Sequence, residues 1–120
     1  MARTTLTIHK MNTASEFSEP FTTLCQAVDA TDGAEYTPTS RDGKHMILVH
    51  NKATAAKTVT VLSGNGLQGV ADMTASIPAS SYVAINLESG RFKNVSGEDK
   101  GKFIIKGEDA NIEIAVFELP

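Results

Sequence analysis

The sequence predicts an all-β protein: a single antiparallel β-sandwich, immunoglobulin-like or jelly-roll-like, with about seven to eight short strands. Three observations carry this expectation. Apolar and polar residues alternate with a period of two in several separate segments. Turn-forming Gly, Asn, Asp and Pro residues punctuate the chain every 8–15 residues or so, roughly the spacing of short strands in sandwiches. No segment carries a helical apolar period long enough for a helix that is stable by itself.

Taken in order, Leu6 and Ile8 alternate with Thr5 and Thr7 near the start. The stretch from Met11 to Tyr36 is the least regular; it holds a weak strand candidate at Leu24 to Val28 and a candidate helical turn within Ser15 to Leu24. Met46-Ile47-Leu48-Val49 and Phe103-Ile104-Ile105 are continuous apolar runs, as expected of strands covered on both faces. Asn51 to Lys57, rich in alanine but too short for a helix, reads as a hairpin loop. Lys57 to Leu62 points Val59 and Val61 inward and its threonines outward. Met73 to Ile77 is a weaker strand, and Ser81 to Leu87 aligns Val83, Ile85 and Leu87. From Asn111, Ile112, Ile114 and Val116 share the inward face while Asn111, Glu113 and Ala115 share the other. The intervening Asp32-Gly33, Asp42-Gly43, Gly64-Asn65-Gly66, Ile77-Pro78, Ser89-Gly90, Ser96-Gly97 and Gly107-Glu108-Asp109 read as tight turns, the Asp-Gly sites being suited to the positive φ angles of strand reversals.

The chain of 120 residues is long enough to bury a core without a metal or disulfide framework. Cys25, the single cysteine, cannot form an internal disulfide or a cysteine zinc cluster. Eleven Lys and Arg against fourteen Asp and Glu give a net charge of −3, with no basic block to follow a phosphate backbone, so no nucleic-acid partner is expected. Apolar runs stop at about four residues, far below a membrane span, and the opening Met1-Ala2-Arg3-Thr4-Thr5 contains no signal-like stretch. No membrane partner is expected.

Candidate chemistry is sparse. Gly64-Asn65-Gly66-Leu67-Gln68-Gly69 matches G-x-G-x-x-G, but a dinucleotide site also needs a helix directly afterwards, and a β-like segment follows instead. His45 and His50, five apart on one expected strand, point to opposite faces and cannot share a metal; His9 is distant in sequence. There is no Gly-x-Ser-x-Gly elbow or Ser-x-x-Lys, and Cys25 lacks an activating context. Asp29 and Asp32, or Glu98 and Asp99, lack the ligand array of a calcium loop, and Asn94-Val95-Ser96 reads as a turn. No catalytic, cofactor-binding or metal-binding residue is assigned, and the chain is expected not to be an enzyme.

One resemblance adds to this reading. Asp42-Gly43-Lys44-His45-Met46-Ile47-Leu48-Val49-His50-Asn51 is followed by Ala55-Ala56-Lys57-Thr58-Val59-Thr60-Val61, Gly64-Asn65-Gly66 and Asp72 to Ala79. Val83 to Glu88, Ser89-Gly90-Arg91-Phe92-Lys93 and a closing hairpin from Lys102 to Leu119 complete the series. Over roughly residues 36 to 119, this order of strands and phrases resembles small β-sandwich structural proteins of tailed bacteriophages that associate with the capsid. The resemblance implies a virion protein, made in the host cytoplasm, that decorates the capsid surface, cementing the major capsid protein lattice from outside. A homo-oligomer on the capsid would be compatible with that role. A tail, baseplate or collar component is the runner-up, and a carbohydrate-binding module a further alternative, disfavoured by the absence of tryptophan. One domain is expected overall, with residues 1–35 as an irregular N-terminal segment, from which Ala2 to Asp29 is a candidate contact arm, and 36–120 as the sandwich core.

Overall fold

A computed structural model describes residues 3–11 and 17–119. The protein is all-β, with ten strands among the described residues: β1 (Thr4–Thr5), β2 (Ile8–Lys10), β3 (Gln26–Ala27), β4 (Ala34–Tyr36), β5 (His45–Asn51), β6 (Lys57–Val61), β7 (Met73–Ile77), β8 (Tyr82–Ile85), β9 (Phe103–Gly107) and β10 (Ile112–Glu118). Two single helical turns, α1 (Phe21–Leu24) and α2 (Ser89–Phe92), interrupt them. Among the described residues no helix is long and apolar enough to cross a membrane.

The strands form two facing sheets. One runs β1-β4-β9-β6-β7; the other runs β2-β10-β5-β8, with β3 sharing the β10 edge beside β2. Four antiparallel pairs nest inside one another: β6 with β7, β5 with β8, β4 with β9 and β3 with β10. The chain is therefore one long hairpin rolled up, and β9 meeting β6 and β10 meeting β5 close the two sheets. That order is the jelly-roll alternative of the expectation.

Between β3 and β10, every connection except β6 to β7 crosses from one sheet to the other. This corrects two expectations. Residues 102–119 are not a hairpin, because β9 and β10 lie in different sheets, and residues 52–56 are likewise an arch. Turn residues reverse the chain in either case, so period and punctuation do not distinguish the two.

Alternation set the register correctly. Val59, Val61, Ile112, Ile114 and Val116 lie in the core between the sheets with Ile47, Val49, Phe103 and Ile105, while Thr58 is exposed. Ala115 departs from the expected outward face. It is buried with Phe117, Leu48 and Leu24 on the far side of β10, where α1 lies over the sheet and makes a second, smaller apolar cluster.

The N-terminal third is the largest correction. Its described residues are built into the sandwich rather than preceding it at 36–120. β1 adds to β4 and β2 adds to β10, both in parallel, so the expected purely antiparallel pattern has two parallel additions. Leu6 sits in the core where the chain crosses between sheets, and Val28 and Ala34 join it. Arg3 donates to Glu35 (3.1 Å) and to both oxygens of Asp99 (2.9 and 3.2 Å), and Lys102 pairs with the other Glu35 oxygen at 2.8 Å. A detachable arm over Ala2 to Asp29 does not fit these contacts; Ala2 and residues 12–16 lie outside the described residues.

Candidate interaction surface

Because the strands nest, the connections 37–44, 62–72 and 86–102 gather at one end of the sandwich. Backbone and side-chain hydrogen bonds tie them together. The Gly64 N–H donates to Arg91 O (2.8 Å), and Asn65 accepts from the Val95 N–H (2.7 Å) while donating to Ser96 O (3.0 Å). Asp42 accepts from the Ser89 N–H (2.9 Å) and from its hydroxyl.

The glycines of the G-x-G-x-x-G run have a packing role here. A Cβ on Gly64 would meet Lys93 O at 2.3 Å, and one on Gly69 would meet Gly64 O at 1.9 Å. The loop thus folds closely on itself and on the residues after α2, with strand β7 following it and no helix. This anchored loop presents Leu67 and Val70 almost fully to solvent, and Val95, within van der Waals reach of the Gly66 position, is also exposed. Large aliphatic groups held in water by a fixed backbone form a preorganised apolar contact point.

Two carboxylates respond to pH in a defined direction. Hydrogen bonds from the Ser89 side chain and backbone hold the Asp42 carboxyl below its ordinary range. Lys102, then Arg3, do the same for Glu35, against the opposing effect of burial. A depressed carboxylate pKa contributes stability above the unfolded-state value of about 4 and loses it as pH falls through the lower folded value. Acidification below about pH 4 is therefore expected to lower the hydrogen-exchange protection of the Ser89 amide before global unfolding. Unchanged Ser89 protection down to the global transition would contradict this.

The remaining candidates do not converge. His45 and His50 face opposite sides of β5: His45 is buried and accepts the Thr39 N–H at Nε2 (3.3 Å), whereas His50 stacks on Tyr82 with ring centroids 4.0 Å apart. His9 lies against Phe117 on β10. Among the described residues no three His, Cys, Asp or Glu side chains group as a metal site would require. Burial, and secondarily the charge of Glu113, push the Cys25 thiol pKa up, away from the reactive thiolate. Asp29 caps its own turn by accepting from the Thr31 and Asp32 amides (3.1 and 2.8 Å), and Asp99 pairs with Arg3. The Asn94 amide donates to Lys102 O (3.2 Å) and Glu98 is exposed. Phe21 and Tyr82 are both partly exposed and adjacent, but their rings meet at 49°, unlike the flat platform on which a sugar face stacks.

Sequence reading passed over Leu67, inside a motif considered only for nucleotides, and Val70, directly after it. The available signal was two aliphatic residues in a glycine-rich loop with no period to bury them. Comparison with family models, curated proteins and solved structures gives no match to this chain.

Proposed function

We propose that this protein is a bacteriophage virion structural protein that decorates the outside of the assembled capsid and cements neighbouring copies of the major capsid protein. The observation that carries the reading is the anchored loop end, where Leu67, Val70 and Val95 are exposed on a rigid sandwich. Such a surface suits docking of preformed partners, since little conformational freedom is lost on binding. The jelly-roll order lends support by analogy only, because viral capsid proteins share it with lectin domains and cupins. The sequence resemblance to capsid-associated proteins points the same way.

The mechanism is mechanical. A protein that binds a composite surface present only after assembly stabilises the assembled state by mass action. Repetition over a lattice converts modest individual contacts into a large collective effect. Virion localisation and a role without catalysis belong to the same proposal.

Co-sedimentation with expanded capsids, alongside unassembled capsid subunits, tests it. The protein is expected to bind capsids, to bind free subunits far less, and to raise the temperature at which capsids disrupt. Leu67→Asp with Val70→Asp is expected to weaken binding at least tenfold, about 1.4 kcal/mol, without unfolding the sandwich. Labelling of tails instead of heads would transfer the protein to the tail or baseplate class.

A further inference from the structure

We infer that the free edge of β7 is a self-pairing surface through which two copies of this chain form a two-fold dimer. The two sides of the sandwich differ. On one, β1 and β2 of the N-terminal segment cover the edges of both sheets. On the other, β7 and β8 end their sheets, with no further strand among the described residues. Between them opens an apolar slot of about 100 Å³, lined by residues including Val59, Val61, Met73, Ala75, Val83 and Ile85. Ala75 is exposed, and Met73, Val83 and Ile85 are only partly covered.

Edge strands of monomeric proteins are commonly protected by charge, a bulge or an overlying element. Here the chain carries no charged residue from Met73 to Leu87. The backbone also presents a specific pattern. Thr58 O accepts the Glu108 N–H (2.9 Å) and the Leu62 N–H donates to Ile104 O (3.0 Å), so the even-numbered residues of this stretch turn towards β9. The odd residues Lys57, Val59 and Val61 therefore bond β7, in register with Ile77, Ala75 and Met73. Thr74 and Ser76 are left with their N–H and C=O groups directed away from β6.

An antiparallel partner strand centred on Ala75 satisfies that pattern. Thr74 of each copy exchanges both hydrogen bonds with Ser76 of the other, and the two Ala75 residues form the close, non-hydrogen-bonded pair. The register also suits the charges at the strand ends. Asp72 of one copy falls opposite the uncharged Pro78 of the other. The two Asp72 positions are then about 20 Å apart along the paired strands, beyond the screening length of about 8 Å at physiological salt. A second copy thus matches the edge in hydrogen bonding, in its small outward side chains and in the absence of repulsion. The inference does not depend on the capsid reading and is tested without capsids.

Sedimentation equilibrium of the full chain from about 1 μM to about 1 mM spans moderate to weak self-affinity. A monomer–dimer equilibrium within that range is expected. Thr74→Lys with Ser76→Lys, both on exposed outward positions, should shift the dissociation constant upward at least tenfold with unchanged circular dichroism. In a Cys25→Ser background, Ala75→Cys should form a disulfide-linked dimer on oxidation, because a non-hydrogen-bonded pair brings the Cα atoms to about 4.5 Å, within disulfide reach. A wild-type chain that stays monomeric throughout overturns the proposal and leaves the edge to a different partner. So does a dimer unaffected by the lysine pair, or one in which Ala75→Cys does not cross-link.

Discussion

Replacing Asn51 with leucine is expected to destabilise the protein by about 4 kcal/mol, enough to lower the melting temperature by roughly 15 °C in a domain of this size. Asn51 has no solvent exposure, although it ends a strand whose core-facing neighbours are Ile47 and Val49. Its amide nitrogen lies 2.9 Å from Ala55 O, 2.9 Å from Ile77 O and 3.3 Å from Pro78 O, and its oxygen accepts the Ala53 N–H at 2.9 Å. One side chain thereby holds the 52–56 arch against the end of β7. Leucine fills similar space but leaves those backbone groups in a poorly hydrated site without a partner, which costs about 1–3 kcal/mol for each one left unsatisfied. Aspartate is expected to be at least as damaging at neutral pH, since it sets a carboxylate against three carbonyl oxygens. Its folded-state pKa would be raised, so this variant should gain stability relative to wild type as pH falls towards 4. Thermal and urea unfolding at two pH values measure both effects. A leucine variant within about 1 kcal/mol of wild type would remove the hub role.

Truncation to a chain beginning at Met11 is expected to cost about 5 kcal/mol or more, a large part of the 5–15 kcal/mol typical of a domain. The deletion removes Leu6 from the core, which alone contributes about 2–3 kcal/mol by burial. It also exposes the edges of β4 and β10 and leaves Glu35 with Lys102 but without Arg3. Leu6→Ala separates the packing loss from the rest, at about 3 kcal/mol. A truncated chain with an unchanged unfolding midpoint would show that the N-terminal strands are appended rather than integral.

Much of the fold was legible where strands were long enough to show alternation. Val59 and Val61 against Thr58, or Ile112, Ile114 and Val116 in succession, define an inward face without any knowledge of the partner strand. The N-terminal strands are only two or three residues long, too short for a period to be recognised. Their place depends on distant edges at β4 and β10. The same limit applies to the arches, because which sheet a returning strand joins is settled by pairings far away in sequence. Ala115 shows the complementary failure: α1 buries an outward position that local pattern assigns to solvent. At the loop end, Leu67 and Val70 were visible as aliphatic residues, but only the close approach of Gly64 and Gly69 explains why they stay exposed.

The nested pairing also constrains when the chain can fold during synthesis. β10 is synthesised after the other nine described strands, yet it lies inside its sheet, between β5 and the short strands β2 and β3. A nascent chain that has not yet released Ile112 to Glu118 can close the β6–β7 hairpin, but it has no centre for the second sheet. β2, synthesised well before β10, must therefore wait for it before it can pair. Such dependence on non-local pairing favours slow, late acquisition of structure, with apolar strands exposed in the interval. Ribosome stalling or premature termination shortly before Ile112 would release a chain with most of the sandwich sequence but no complete core, a natural target for chaperones and proteases.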